Sequence, residues 1–224
     1  MKTTNKAIIL VSGGMDSCVT AAFAIKDSFQ PQFLHVNYGQ RTEERELQAF
    51  HEIGDYYNVN DRLVVNITHL SQIGGSCLTD KNIDVPNANL NNKDIPISYV
   101  PFRNANILSI AVSWAEAMNT NAIYMGAVEE DSSGYPDCRR SFFDAFEKTI
   151  IKGTKPETSI SIITPLIDLS KKEIILTGTI LQAPLHLTWS CYNNDNTPCG
   201  LCDSCAIRER GFQQANLKDP IYIL

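Results

Sequence analysis

With 224 residues, 43% apolar and 20% charged, the chain has the size and make-up of one sizeable α/β domain plus a small appendage, which excludes disordered, fibrous and two-full-domain classes. A net charge of −6 denies it the basic face that a broad grip on nucleic acid needs, so no direct nucleic-acid partner is expected. No run approaches the roughly 18 apolar residues of a bilayer span, and Met1-Lys2-Thr3-Thr4-Asn5-Lys6 leads only into a short apolar strand, so neither a membrane segment nor a signal peptide is expected and the chain reads as cytoplasmic.

The first element is a continuous apolar run, Ala7-Ile8-Ile9-Leu10-Val11, closed by Ser12-Gly13-Gly14; it predicts a central strand covered on both faces. A helix-compatible stretch at 18–24 follows. Apolar runs at 33–36, 63–67, 122–125 and 160–163 repeat the strand pattern, and His35 falls inside one of them as a structural residue. Residues 42–57 put Leu47, Phe50, Ile53 and Tyr57 on one helical stripe; 104–118 do the same with Ile107, Leu108, Ala111, Val112, Ala115 and Met118. Ser170, with Glu173 three residues on, is a capping box opening a further helix. Residues 71–99 carry no period and are rich in Asn, Asp and Pro, the mark of a functional or disordered loop. Strands alternating with helices predict an α/β fold, an open parallel sheet with right-handed crossovers and helices on both faces. The rhythm stops near Pro184, which divides the chain into an α/β domain at 1–183 and a small C-terminal module at 184–224.

The first strand feeds straight into Ser12-Gly13-Gly14-Met15-Asp16-Ser17 and then into a helix. Glycines let backbone N–H groups approach an anion closely, the helix N-terminus adds partial positive charge, and the Ser12 and Ser17 hydroxyls can donate further hydrogen bonds. A tight strand-helix turn with no ligand is the plainer account of the same residues. The Gly-Lys-Ser/Thr ending of a Walker A loop is missing, so γ-phosphate transfer is not indicated. Asp16 suits either a Mg2+ ligand or a helix cap.

Seven cysteines are distributed unevenly: Cys18, Cys77 and Cys138 are scattered, whereas Cys191, Cys199, Cys202 and Cys205 fall within fifteen residues. Four thiols so spaced suit one closed tetrahedral Zn2+ site that contributes folding energy, with disulfides as the competing account. Cys138 stands near polar candidates and is read as a small buried hydrophobe rather than a nucleophile.

Further polar clusters follow predicted strands or close the long loop: Tyr38-Gly39-Gln40-Arg41, Val100-Pro101-Phe102-Arg103-Asn104, and Ser133 through Asp137-Cys138-Arg139. All would then face the crevice at the carboxyl ends of the strands, where open α/β sheets bind ligands. The loop at 12–17 resembles the pyrophosphate loop of the ATP pyrophosphatases, Ser-Gly-Gly-x-Asp-Ser/Thr, whose members cleave ATP between the α and β phosphates. Together with Pro165-Leu166, Lys171 and Cys191-Tyr192-Asn193, these motifs make the chain similar, nearly end to end, to the 7-cyano-7-deazaguanine synthase family of queuosine biosynthesis.

That resemblance implies an adenine-nucleotide α-hydrolase-like fold and conversion of 7-carboxy-7-deazaguanine and ammonia to the nitrile through two adenylated intermediates. It implies ATP, Mg2+ and Zn2+ and a homodimer. Leu10, Val11, Ser12, Gly13, Gly14, Met15, Asp16 and Ser17 would hold the nucleotide; Asp16, Arg103 and Lys171 would be catalytic; Gln40, Arg41, Arg103, Asn104, Asp137 and Arg139 would hold substrate; Cys191, Cys199, Cys202 and Cys205 would hold Zn2+. The chain departs from the family pattern at Phe102, Thr42, Arg45, Val128 and Ser132. Two alternatives stay open on the residues alone: another ATP pyrophosphatase acting on a different substrate, and a zinc-scaffolded nucleotide-binding protein without turnover.

Overall fold

The computed structural model describes residues 5–92, 94–129 and 134–222. The chain runs β1 (Lys6–Leu10), α1 (Met15–Lys26), β2 (Gln30–Asn37), α2 (Glu43–Tyr56), β3 (Arg62–Asn66), α3 (His69–Ile73), α4 (Arg103–Met118), β4 (Ala122–Tyr124), α5 (Arg140–Gly153), β5 (Ser161–Ile163), α6 (Lys171–Ile180) and α7 (Asp203–Gln214). The five strands form a parallel sheet in the order β3-β2-β1-β4-β5, with Ile9 of β1 opposite Phe33 of β2 and Tyr124 of β4.

Why β1 is apolar at every position follows from its place. Successive side chains point to opposite faces, and in this central strand both faces are covered. Ile8 and Leu10 join Leu34, Ile123, Leu108 of α4 and Phe143 of α5 in one core. Ala7, Ile9 and Val11 join Phe33, Tyr124, Cys18 of α1 and Phe50 of α2 in the other. Helices therefore cover both faces of the sheet, as the alternation of elements predicts.

The capping box at α6 is present in full: the Ser170 side chain accepts from the Glu173 N–H while the Glu173 carboxylate accepts from the Ser170 N–H. His35 is buried in β2 with Nδ1 donating to the Val11 carbonyl at 2.9 Å, and burial pushes its pKa below the ordinary histidine value. The described residues of the stretch without a period, 71–99, comprise the end of α3 and otherwise turns and irregular backbone.

The C-terminal residues pack onto the main body. Leu185 and Phe212 share a core with Met15 and Val19 of α1 and Ile174 and Ile175 of α6. Gly211 lets α7 press against α6, since a Cβ there would sit 2.6 Å from Cγ of Lys171. Arg208 of α7 is nearly enclosed: Nε and Nη2 grip the two oxygens of Asp219 at 2.6 and 2.9 Å, and Nη1 donates to Thr188 Oγ1 at 2.7 Å. With the two side chains only 5% and 7% exposed, removing one strands the other. Arg208→Met is therefore expected to lower the unfolding free energy by about 3–5 kcal/mol, and Arg208→Met combined with Asp219→Leu to recover much of it, both read from urea unfolding curves.

Candidate active-site crevice

β1, β2 and β3 advance toward one edge of the sheet, and the chain then returns to lay β4 on the other side of β1. The loops leaving β1 and β4 consequently diverge and open a crevice at the carboxyl ends of those strands, the switch point where doubly wound sheets take ligands. A cavity of about 310 Å³ lies there, lined on one side by the loop after β1 and on another by Tyr38, Gln40, Arg103 and Asn104.

The loop after β1 is held by its own hydroxyls. Ser17 Oγ accepts from the Ser12 N–H at 3.2 Å and donates to the Gly14 carbonyl at 2.9 Å, and Ser12 Oγ accepts from the Gly14 N–H at 3.2 Å. Gly13 has φ = 89°, a conformation that side chains rarely adopt, and a Cβ there would collide with the Glu46 carbonyl oxygen of α2. The loop is closed from outside by the Trp189 N–H, which donates to the Gly13 carbonyl at 2.9 Å. At the end of β4, Gly126 allows close approach to α1: a Cβ would lie 2.9 Å from the Asp16 carbonyl oxygen.

Asp16, in the first turn of α1, receives Lys171 Nζ on both carboxylate oxygens at 2.7 and 2.8 Å. Lys171 stands at the first position of α6, where the capping box fixes the helix start, and only 7% of it is exposed. A charge pair so placed, one half in the first turn of α1 and the other in the first turn of α6, joins two elements far apart in sequence at the cavity wall.

The opposite wall is aromatic and cationic. The Arg103 guanidinium lies 5.5 Å from the Tyr38 ring and 5.8 Å from the Tyr135 ring, and Nη1 donates to Tyr38 Oη at 3.1 Å. Desolvation pushes the Tyr38 phenol up to about 12, against the opposing pull of Arg103, so it is neutral across the physiological range. Asn104 is buried; its N–H donates to Asp137 Oδ2 at 2.9 Å and its Nδ2 donates to the Asp137 carbonyl at 3.0 Å. Burial raises the Asp137 pKa above the ordinary carboxylate value, opposed by the Asn104 N–H and Arg103.

Gln40 accepts from the Tyr38 N–H and donates to Glu46 Oε2 at 3.1 Å. Arg41 lines the cavity, but its guanidinium is tied to the long loop, donating to the carbonyls of Cys77, Asp80 and Ile83 at 2.6, 3.0 and 2.6 Å. Arg139 stands exposed at the start of α5, apart from the residues that line the cavity. Cys138 is buried at the cavity edge, where burial pushes its thiol up to about 11, a protonated and unreactive state. Ser132 and Ser133 fall outside the described residues.

The other departures have visible partners. Thr42 donates to Glu46 Oε1 at 2.8 Å, Arg45 stacks 4.8 Å over the Trp189 ring, and Val128 is buried between α1 and α6. Phe102 sits at φ = 57° just before α4, 60% exposed, with its ring edge toward Phe142.

Cys191, Cys199, Cys202 and Cys205 bring their Sγ atoms within 4.8 Å of one another. Backbone N–H groups of Asn194 and Cys199 point at Cys191 Sγ at 3.3 Å, and those of Leu201 and Cys202 point at Cys199 Sγ at 3.4 Å. Such donors stabilise thiolates, and four soft ligands around one point suit Zn2+ with no position left for exchange.

Several cavity residues carry no motif signal. Trp189 and Arg208 arrive from the C-terminal segment, and Glu46 lies on α2, where the sequence alone shows only an acid near a helix start; Tyr135, by contrast, belongs to the 133–139 cluster.

A family model described as queuosine biosynthesis protein QueC matches residues 6–216. Proteins named 7-cyano-7-deazaguanine synthase from Chlorobium phaeobacteroides and Chloroherpeton thalassium are each 56% identical over 216 residues, covering 96% of this chain and 96% of theirs. Among solved structures, an NMN synthetase from Francisella tularensis shares the fold with a TM-score of 0.51 at 14% identity, over 96% of this chain and 79% of its own.

Proposed function

The chain belongs to the queuosine biosynthesis protein QueC family, and on that premise we propose that its crevice holds ATP and a 7-deazaguanine carboxylate side by side and adenylates the second with the first. It works as an ATP-dependent enzyme that forms 7-cyano-7-deazaguanine. The observation that supports the crevice as the site is the meeting of an anion-cradling loop, the Asp16–Lys171 pair and the Arg103 wall on one cavity at the switch point of the sheet.

A carboxylate resists attack by ammonia because it is negatively charged and has no leaving group. Adenylation removes both obstacles: the carboxylate oxygen bonds the α-phosphorus, pyrophosphate departs, and ammonia then displaces AMP to leave the amide. A second adenylation, on the amide oxygen, lets that oxygen leave as well and yields the nitrile. The protein supplies position and charge, with no covalent intermediate on a side chain.

In this reading the Gly13 and Gly14 backbone, Ser12, Ser17 and the start of α1 receive the departing pyrophosphate, with Leu10, Val11 and Met15 beneath. Lys171, oriented by Asp16, and Arg103 meet negative charge at the reacting phosphate and carboxylate. Asn104 and Asp137 shape the wall for the base, and Gln40 and Arg41 support it from the β2 side. Asp16 also suits the Mg2+ that accompanies ATP, since each of its oxygens keeps a lone pair beyond its bond to Lys171 and one carboxylate plus phosphate oxygens is a common Mg2+ donor set. When bound, that ion withdraws charge from the phosphates.

The segment from 184 onward is taken as a zinc module that serves the crevice. Among the described residues no helix is long and apolar enough to cross a membrane, which accords with a cytoplasmic enzyme. The homodimer implied by the resemblance belongs to the same proposal.

Incubation with 7-carboxy-7-deazaguanine, ATP and ammonium is expected to give the nitrile by mass spectrometry with two pyrophosphates released per nitrile. Accumulation of the amide alone, or pyrophosphate release without any deazaguanine product, would contradict the proposal.

A further inference from the structure

The reaction needs neutral ammonia, yet at neutral pH the nucleophile is present almost wholly as ammonium, which has no lone pair. A base in the crevice would raise the local supply of that free ammonia. The Arg103, Arg208 and Lys171 side chains in the cavity wall are cationic and repel ammonium, and Asp16 is already paired with Lys171.

Glu46 is different. It lies in the first turn of α2 and lines the same cavity, with its own carbonyl packed against Gly13 of the phosphate loop. Two neutral groups hold its carboxylate, the Thr42 hydroxyl on Oε1 at 2.8 Å and the Gln40 amide on Oε2 at 3.1 Å, and each oxygen keeps a further lone pair. No lysine, arginine or histidine forms an ion pair with it among the described residues. A partly buried carboxylate without a cation, fixed in orientation beside an anion-binding loop, is a place for a small cation that can donate hydrogen bonds.

We propose that Glu46 is the base of the amide-forming step: its carboxylate binds ammonium in the cavity and takes one proton, releasing ammonia to attack the acyl-adenylate. The nitrogen lone pair forms the C–N bond, the C–O bond to phosphate breaks with its electrons leaving on AMP, and the second proton departs from the adduct nitrogen to solvent. Glu46 then returns its proton to water. This assignment rests on the adenylation reading above.

The surroundings tune the group for that task. Burial pushes the Glu46 carboxyl up to about 7; Thr42, Gln40 and the positive charge of Arg103 from α4 oppose the rise, and Glu43 on the same helix adds to it. Tyr38, at the end of β2, faces it as a neutral phenol. A base whose pKa lies near the working pH combines availability with strength.

The test separates the two half-reactions in the full-length enzyme. In Glu46→Gln, ATP–pyrophosphate exchange driven by 7-carboxy-7-deazaguanine should persist near the wild-type rate, whereas amide formation from ammonium at pH 7 should fall about 100-fold or more. Hydroxylamine is unprotonated near neutral pH, so the variant should convert the adenylate to the hydroxamate at close to the wild-type rate, and its deficit with ammonium should shrink as pH rises. Equal loss with ammonium and hydroxylamine, unchanged use of ammonium, or loss of exchange itself would each overturn the assignment. Absence of exchange in the wild-type enzyme would instead refute the adenylation reading.

Discussion

Gly13→Ala is expected to slow pyrophosphate release by about 1,000-fold, the scale of losing a preorganised set of donors at a developing anion. The new methyl group has nowhere to go. At φ = 89° the backbone conformation disfavours any side chain, and the Cβ would run into the Glu46 carbonyl oxygen and come within 3.1 Å of Ala49 Cβ, both on α2. A helix backbone does not yield as a flexible side chain does, so the loop must move instead, and its N–H groups lose their common aim. The Trp189 N–H that closes the loop on the Gly13 carbonyl would be displaced with it. Gly14→Ala provides the comparison: φ at Gly14 is −80° and the nearest atom to a new Cβ is Ser12 Oγ at 3.3 Å, so a milder defect is expected. Stopped-flow pyrophosphate release on both variants, with thermal unfolding beside it, separates a misaimed loop from a destabilised protein. Gly13→Ala turning over within tenfold of wild type would show that the loop does not work as a cradle.

Stripping zinc is expected to unfold the C-terminal module and abolish turnover. Binding at a structural zinc site supplies about 10–16 kcal/mol of folding free energy at neutral pH, as much as the whole net stability of an ordinary domain, about 5–15 kcal/mol. Cys202 is also the N-cap of α7, so losing the metal releases that helix at its first residue. The effect should travel to the crevice by short steps: Cys191 is two residues from Trp189, the Cys191 carbonyl oxygen lies 3.3 Å from Thr42 Oγ1, and the Trp189 ring carries Arg45. Metal analysis should return one zinc per chain, and chelation or Cys202→Ser should deprotect the amides of residues 188–214 in hydrogen exchange while the central strands stay protected. Full protection of α7 in the metal-free protein would remove zinc from any structural role.

Much of this was legible beforehand because the physics is local. All five strands announce themselves as apolar runs, most fully β1, β2 and β4, which are buried on both faces and so apolar at consecutive positions, while the edge strands β3 and β5 are partly exposed; the capping box of α6 is written in Ser170 and Glu173. What stayed hidden needs tertiary context. α7 shows no clear apolar stripe because its buried side is made of Cys205, Arg208, Gly211 and Phe212, held by metal ligands, an ion pair and close helix contact rather than by hydrophobic spacing. Arg139 neighbours Asp137 and Cys138 in sequence, but a single turn of 3-10 helix, Pro136–Cys138, buries those two and leaves the arginine facing outward. Arg41 follows a strand end, as a phosphate-binding arginine would, yet three loop carbonyls claim its guanidinium. Glu46 reads as a helix-dipole acid, and only the packing of Gly13 against α2 shows that it borders the crevice.

The hydrogen bond from Trp189 to Gly13 also orders events during synthesis. The loop after β1 is translated before the group that closes it, which emerges some 175 residues later, with all five strands already made. At a typical pace of about 5–20 residues per second, the nascent chain spends roughly ten seconds or more with that loop unlatched. A polypeptide abandoned short of that tryptophan would carry the glycines and serines of the loop without their outer support, and so, on the proposed function, would be a poor consumer of ATP.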